Sequence, residues 1–228
     1  MSAEETRRKA VPVTVHPKIL HSQVLEWLRE SLISGLLVPG QRVNEVQIAT
    51  QVGVSRGTLR EALRKLEQEG LLVSVPHKGT FVRKLTPTQV RDVYEVLAML
   101  EGRAARRAAE RLTPEGAKRL SGLLDHFEQV LADPTQTLRQ RQDADLAFHE
   151  AVCELADSEA LLTTWRAVRG RVMAVVLNVG EEILTPLQDP GSHRRLLQAL
   201  LTDPPGVAEE TFHSHLMHAA DVIVGILE

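Results

Sequence analysis

The tightest constraint on this chain lies between residues 44 and 70, where two short helical patterns are separated by one glycine. Asn44 is a good N-cap for a helix that would bury Val46, Ile48, Ala49 and Val52, and Gly53 breaks it. Ser55 then caps a further helix whose apolar residues, Leu59, Ala62, Leu63 and Leu66, recur at helical spacing. Gly70 stands where a left-handed C-terminal residue belongs. On the second helix Arg56, Gly57, Arg60 and Arg64 share the face opposite the leucines. A helix-turn-helix inserts the start of its second helix into a DNA major groove, where arginine donates to guanine O6 and N7 or to phosphate. Gly57 would leave room for close approach. The same spacing also suits an ordinary solvated face.

The flanking segments complete a small domain. Residues 1–17 are polar, carry Pro12 and Pro17, and read as an arm. From Lys18 a helical period places Leu20, Val24, Leu28 and Leu32 on one face, with Leu25 and Ile33 beside it, up to Gly35 and a turn at Pro39-Gly40. After Gly70 the residues Leu71–Val75 and Thr80–Val82 are β-prone around Pro76-His77-Lys78-Gly79, a hairpin whose Lys78 and Gly79 can reach a neighbouring groove or phosphate. Residues 18–84 thus predict three helices and a hairpin, a winged helix-turn-helix, followed by a linker at Lys84-Leu85-Thr86-Pro87.

Residues 85–228 show helical patterns only. Capping residues followed by proline or serine recur at Thr86-Pro87, Thr113-Pro114, Asp133-Pro134, Asp157-Ser158, Asp189-Pro190 and Asp203-Pro204, which predicts about six bundled helices. The fold class is mainly α. Charge follows the same division: residues 1–84 carry 13 Lys and Arg against 8 Asp and Glu, and the rest carries 14 against 22. A basic first third suits a nucleic-acid partner. No apolar run reaches the ~18 residues of a membrane span, the charged N-terminus does not resemble a signal peptide, and the single Cys153 cannot form an intrachain disulfide. These features predict a cytoplasmic protein with no membrane partner.

In the second region Asp145 and His149 lie four apart and face the same way on a helix, while His193 and His215 belong to later helices. One carboxylate and three imidazoles suit a divalent metal, zinc first and nickel or manganese next, better than calcium. Taken alone, each of these residues is equally at home as a surface or core side chain. Arg166 and Arg169, with Arg171 around Trp165, are candidate anion-binding groups on the fourth helix of this region, or else a solvated or dimer-facing surface.

Residues 24–82 resemble the DNA-binding domain of the GntR family of bacterial regulators. The matching text is Ile33-Ser34-Gly35-Leu36-Leu37-Val38-Pro39-Gly40-Gln41-Arg42-Val43-Asn44-Glu45, then Val54-Ser55-Arg56, then Leu59 through Leu71, then Lys78-Gly79. The resemblance implies DNA contacts from Arg56, Arg60 and Gly79. It departs at Gly57-Thr58, where the family usually has Thr-Pro, and at Val46, where some members carry arginine. Residues 88–226 resemble the FadR-type, or FCD, ligand-binding domain, through Val93-Tyr94-Glu95-Val96, Leu100-Glu101, Asp145-x-x-x-His149, His193-Arg194-x-Leu196-Leu197 and His215-Leu216. That resemblance implies a metal held by Asp145, His149, His193 and His215. Leu97 stands where the family often has an arginine linked to effector acids.

Together these readings predict a homodimeric transcription regulator on a palindromic operator in double-stranded DNA, gated by a small organic acid bound at or near a divalent metal. Two other readings remain open: a direct metal sensor, and a metalloenzyme fused to a DNA-binding domain. Because the first helix of the sensor follows the linker, its movement would change the spacing of two DNA-reading heads.

Overall fold

A computed structural model describes residues 17–179 and 187–228. The predicted arm lies outside the described residues apart from Pro17, as does the Leu20 side chain. The N-terminal module comprises α1 (Pro17–Ile33), α2 (Glu45–Val52), α3 (Arg56–Gln68), β1 (Leu72–Val75) and β2 (Gly79–Val82). Asn44 Oδ1 accepts from Gln47 N–H at the start of α2, and Ser55 Oγ accepts from Thr58 N–H at the start of α3. Between the two helices Gly53 takes φ +73°, a left-handed conformation that only glycine adopts without strain. Val24, Leu28, Leu32, Ile48, Leu59, Ala62, Leu63 and Leu66 are buried, and they join the module's helices into one apolar centre. Val46 departs from the predicted core: it is 58% exposed, in the first turn of α2 on the side that faces Arg56 and Arg60. The hairpin pairs Leu72 with Val82 and Val75 with Gly79. Residues 41–43 add a lane beside β2, with Val43 N–H donating to Thr80 O and Val82 N–H to Gln41 O.

The C-terminal module comprises α4 (Pro87–Arg111), α5 (Pro114–Ala132), α6 (Leu138–Leu155), α7 (Glu159–Val179), α8 (Pro190–Thr202) and α9 (Pro205–Leu227) among the described residues. Thr86 and Gln89 form a reciprocal capping box at α4, as do Thr137 and Gln140 at α6; Thr113 caps α5 and Asp189 caps α8. Two predicted starts shift. Asp133 ends α5, and its carboxylate accepts from Thr135 and Gln136, so the next helix begins at Thr137. Asp203 ends α8, and α9 starts after Pro204 without a side-chain cap. Helices α4 and α9 run antiparallel, tied by Arg91–Asp221 and Arg106–Glu209. They approach closely because small residues line α4: a Cβ on Gly102 would lie 2.9 Å from the Glu209 carbonyl oxygen.

The two modules meet along α6 and α7. Arg139 on α6 pairs with Glu26 and Glu30 on α1. Gly170 on α7 abuts the end of α3, where an added Cβ would lie 2.5 Å from the Glu69 carbonyl oxygen. A cleft of about 390 Å³ remains between them, walled by Arg29, Leu32 and Glu69 on one side and Glu150, Arg166 and Arg169 on the other.

Candidate nucleic-acid interface and metal centre

Arg56, Gly57, Arg60 and Arg64 are all exposed on α3, on the side away from its buried leucines. Arg60 Nε donates to Glu45 Oε2 at 2.8 Å, which holds one guanidinium against the start of α2. A Cβ on Gly57 would meet only Ser55 Oγ, at an ordinary 3.6 Å, so packing within the chain does not require glycine there. Lys78 is exposed at the hairpin tip, beside His77 at φ +61° and Gly79 at φ +100°.

The second constellation lies inside the C-terminal module. Helix α6 brings Asp145 and His149, α8 brings His193 and α9 brings His215, and ring nitrogens of the three histidines all lie within 4.8 Å of one another. His149 and His193 are buried. His149 Nε2 and His193 Nε2 are 3.4 Å apart, and Asp145 Oδ1 is 2.8 Å from His193 Nε2.

The other ring nitrogens are engaged away from this point. His149 Nδ1–H donates to Glu101 Oε2 at 2.5 Å, and His193 Nδ1–H donates to the Asp189 carbonyl at 3.1 Å. With both Nδ1 atoms so engaged, the two Nε2 atoms and a carboxylate oxygen converge on one point, where a cation could replace the protons that the rings otherwise carry. Nitrogens bound tetrahedrally to zinc at ~2.1 Å lie ~3.4 Å apart, so the donor set fits such an ion. Bound there, a divalent metal would be held by Asp145, His149, His193 and His215, and would supply a Lewis-acidic point for an anionic ligand.

Charge is arranged to match. Burial disfavours the charged form of His149, but the Glu101 carboxylate and Asp145 outweigh it and hold its pKa up to about 9. Burial, with His149 and His193 close by, pushes His215 down to about 3, so it presents a neutral imidazole. Burial also opposes ionisation of Asp145, yet its hydrogen bond to His193 and the nearby rings lower its pKa.

Glu101 is the residue that motif reading named without giving it work. It is 3% exposed and accepts from two sides, His149 Nδ1 and Trp165 Nε1, the latter at 2.7 Å. Its signal in the sequence is a carboxylate on the apolar stripe Tyr94, Ala98, Glu101, Ala105 of α4; buried carboxylates need partners. Gln142 was also unmarked, and its amide donates to Asp145 Oδ2 at 3.2 Å. Of the candidate anion-binding arginines, Arg169 lines the small cavity of about 60 Å³ beside the histidines, with its guanidinium 5.6 Å from the Trp165 ring centroid. Arg166 does not line it; it is exposed and pairs with Glu150 and Glu154. Glu150 also takes Arg169, and it does not line the cavity beside the histidines.

Residues 20–82 match the model of bacterial regulatory proteins of the gntR family, and residues 92–218 match the FCD domain, more than half of the chain. The chain belongs to the GntR family of bacterial regulators. It is 32% identical over 196 residues to a probable D-xylose utilization operon transcriptional repressor of Paenarthrobacter nicotinovorans, covering 86% of this chain and 84% of that one. To the transcriptional repressor RspR of Escherichia coli it is 25% identical over 204 residues, covering 90% and 89%. A crystal structure of a putative GntR regulator from Rhodococcus superposes with a TM-score of 0.70 at 23% identity, covering 90% and 97%; Escherichia coli McbR gives 0.66 at 24%, covering 91% and 96%. These two share the fold. This GntR protein is accordingly a transcription regulator with a DNA-binding helix-turn-helix domain, and its relatives are regulators rather than enzymes. No helix among the described residues is long and apolar enough to cross a membrane.

Proposed function

We propose that this regulator binds a palindromic operator as a homodimer in the cytoplasm, with residues 18–84 reading DNA and residues 85–228 sensing a small organic acid at a divalent metal. Zinc suits the donors best, and nickel or manganese are the alternatives. The observation that carries the reading is the convergence of His149 Nε2, His193 Nε2 and Asp145 Oδ1 while both Nδ1 atoms are engaged elsewhere. Four protein donors fill a tetrahedral ion, so the effector site requires a metal that takes a fifth or sixth ligand, as zinc does on expansion and nickel or manganese do by preference; an incoming carboxylate would fill that position. Arg169, which lines the cavity and pairs with Glu150, is the cation that could turn to that carboxylate with a charge-assisted hydrogen bond. A cavity of about 60 Å³ favours acids of only a few carbons.

The route to DNA runs through α6 and α7 as well as α4. Helix α6 carries Asp145 and His149 and also Arg139, which grips α1; α7 carries Trp165 and Arg169 and also Gly170, which rests on α3. An effector can shift the arrangement of the modules only by binding one arrangement better. Elemental analysis tests the core of this reading. Purified protein retains about one divalent ion per chain, and the His193→Ala, His215→Ala double variant retains none. Full retention by the double variant would remove the site.

The small cavity and its lining arginine favour an acid effector, whereas the histidines alone also suit a regulator for which the metal is the signal. Chelation that changes operator affinity with no acid present would favour the latter. A catalytic role has less support, because Glu150, the carboxylate next in sequence to His149, is held by Arg166 and Arg169.

A further inference from the structure

Arg42 stands where the wing meets the recognition helix. Its backbone is fixed to the wing: Arg42 bridges Phe81 in antiparallel fashion, between the bonds Val43 N–H to Thr80 O at 2.8 Å and Val82 N–H to Gln41 O at 2.9 Å. Its side chain lies across Gly79. A Cβ on Gly79 would be 3.1 Å from Arg42 Nε and 3.3 Å from Nη2. Glycine at 79 therefore answers two demands, the φ of +100° and the space taken by this guanidinium.

Arg42, Arg56 and Arg60 line one open groove between α2, α3 and the wing, with Glu45 the sole acid in its lining. Glu45 is committed to Arg60 at 2.8 Å. Arg42 is exposed, and among the described residues no salt bridge engages either it or Arg56. Two guanidiniums held by no acid thus line the same groove, one on the recognition helix and one anchored to the wing. A surface arginine with no acid to hold it gains nothing for folding from its charge, but it is placed for an anion.

We propose that Arg42 is a DNA-phosphate contact, clamping one sugar-phosphate strand between the wing and α3. The reading rests on the DNA-binding role of the helix-turn-helix domain. Phosphate rather than a base edge is its target, because base edges are met by the start of the recognition helix in the groove, while Arg42 sits on the β-lane that forms the opposite wall. It contributes affinity without sequence preference, and it gives the wing a second cation beside Lys78.

Because a phosphate contact is blind to sequence, a labelled duplex of arbitrary sequence is a sufficient probe. Binding of the full-length protein is titrated over a series of salt concentrations. Arg42→Ala weakens binding roughly tenfold and lowers the salt slope by about 0.9 for each chain bound. Arg42→Lys keeps most of both, since a point charge also binds phosphate. Arg42→Gln retains a stem over Gly79 and serves as the variant with the wild-type melting temperature. An unchanged salt slope in a folded Arg42→Gln protein would overturn the proposal, and so would a loss confined to one operator sequence. Wild-type protein that fails to bind duplex DNA at all would instead count against the domain's role.

Discussion

At Glu101 one carboxylate serves two helices. It accepts from His149 on α6 and from Trp165 on α7, and it does so from α4 at 3% exposure. Groups that orient a ligating histidine commonly affect metal affinity 10–100-fold. Glu101→Gln is therefore expected to weaken metal binding within about that range, measured by chelator competition. It also lowers the pKa of metal-free His149, because the Glu101 charge and hydrogen bond are what oppose burial there. The pH dependence follows from the sign of each shift. Metal must displace a proton from His149 below about pH 9, so affinity climbs with pH up to that value in the wild type. In Glu101→Gln the climb ends at lower pH, a change that mere loosening of the fold would not produce. In the metal-free protein the raised pKa of His149 stabilises the fold most fully below its ordinary 6.5 and ceases to do so as pH rises through about 9. His215, pushed down to about 3, costs stability as pH falls below 6.5, because the unfolded chain takes up the proton that the folded one refuses. The sequence marked the four candidate donors by spacing and resemblance. It did not mark Glu101 as their support, because nothing local in Leu100-Glu101-Gly102 says that three helices close over it.

Helix boundaries were legible where a side chain caps the backbone, as at Asn44, Ser55, Thr86 and Asp189. They misled at Asp133 and Asp203, where the same residue type terminates a helix, and Asp133 also folds the following turn. Both readings satisfy orphan backbone groups, and only the packing of the adjoining helices selects between them. The predicted burial of Val46 failed for a related reason: the pattern of α2 gives four apolar positions, but the module buries Ile48 and Ala49, half-covers Val52 and leaves Val46 outside. Close approach between elements was invisible in the sequence, since a glycine inside a helix has no local signature. Gly170 is the sharpest case, with room for no side chain against the Glu69 carbonyl. Gly170→Ala is expected to push α3 away from α7 and cost about 1–3 kcal/mol where the modules touch. Metal content should stay unchanged, because Gly170 lies outside the ligand set. Small-angle scattering and operator titration on the variant check this: altered module separation with unchanged metal is expected, whereas wild-type scattering and effector response would show that the seam is not part of the signal path.

Across the whole molecule, the candidate DNA face and the candidate metal centre are joined by the elements that build them. Helix α3 rests on α7 through Glu69 and Gly170, α1 is gripped by Arg139 of α6, and α6 supplies two of the four candidate metal donors. Domain order and fold class were legible from the chain, because capping, periodicity and a long family motif all act locally. The seam was not, since it depends on Arg139 meeting Glu26 across 113 positions and on glycines meeting carbonyls. The most direct test is an operator titration with metal-loaded protein, metal-free protein and the His149→Ala variant, each with and without a panel of acids of a few carbons. At least one acid should change operator affinity in the loaded protein and leave the other two unmoved. The same acid response in all three samples would contradict a metal-bound effector and reduce the centre to a structural role.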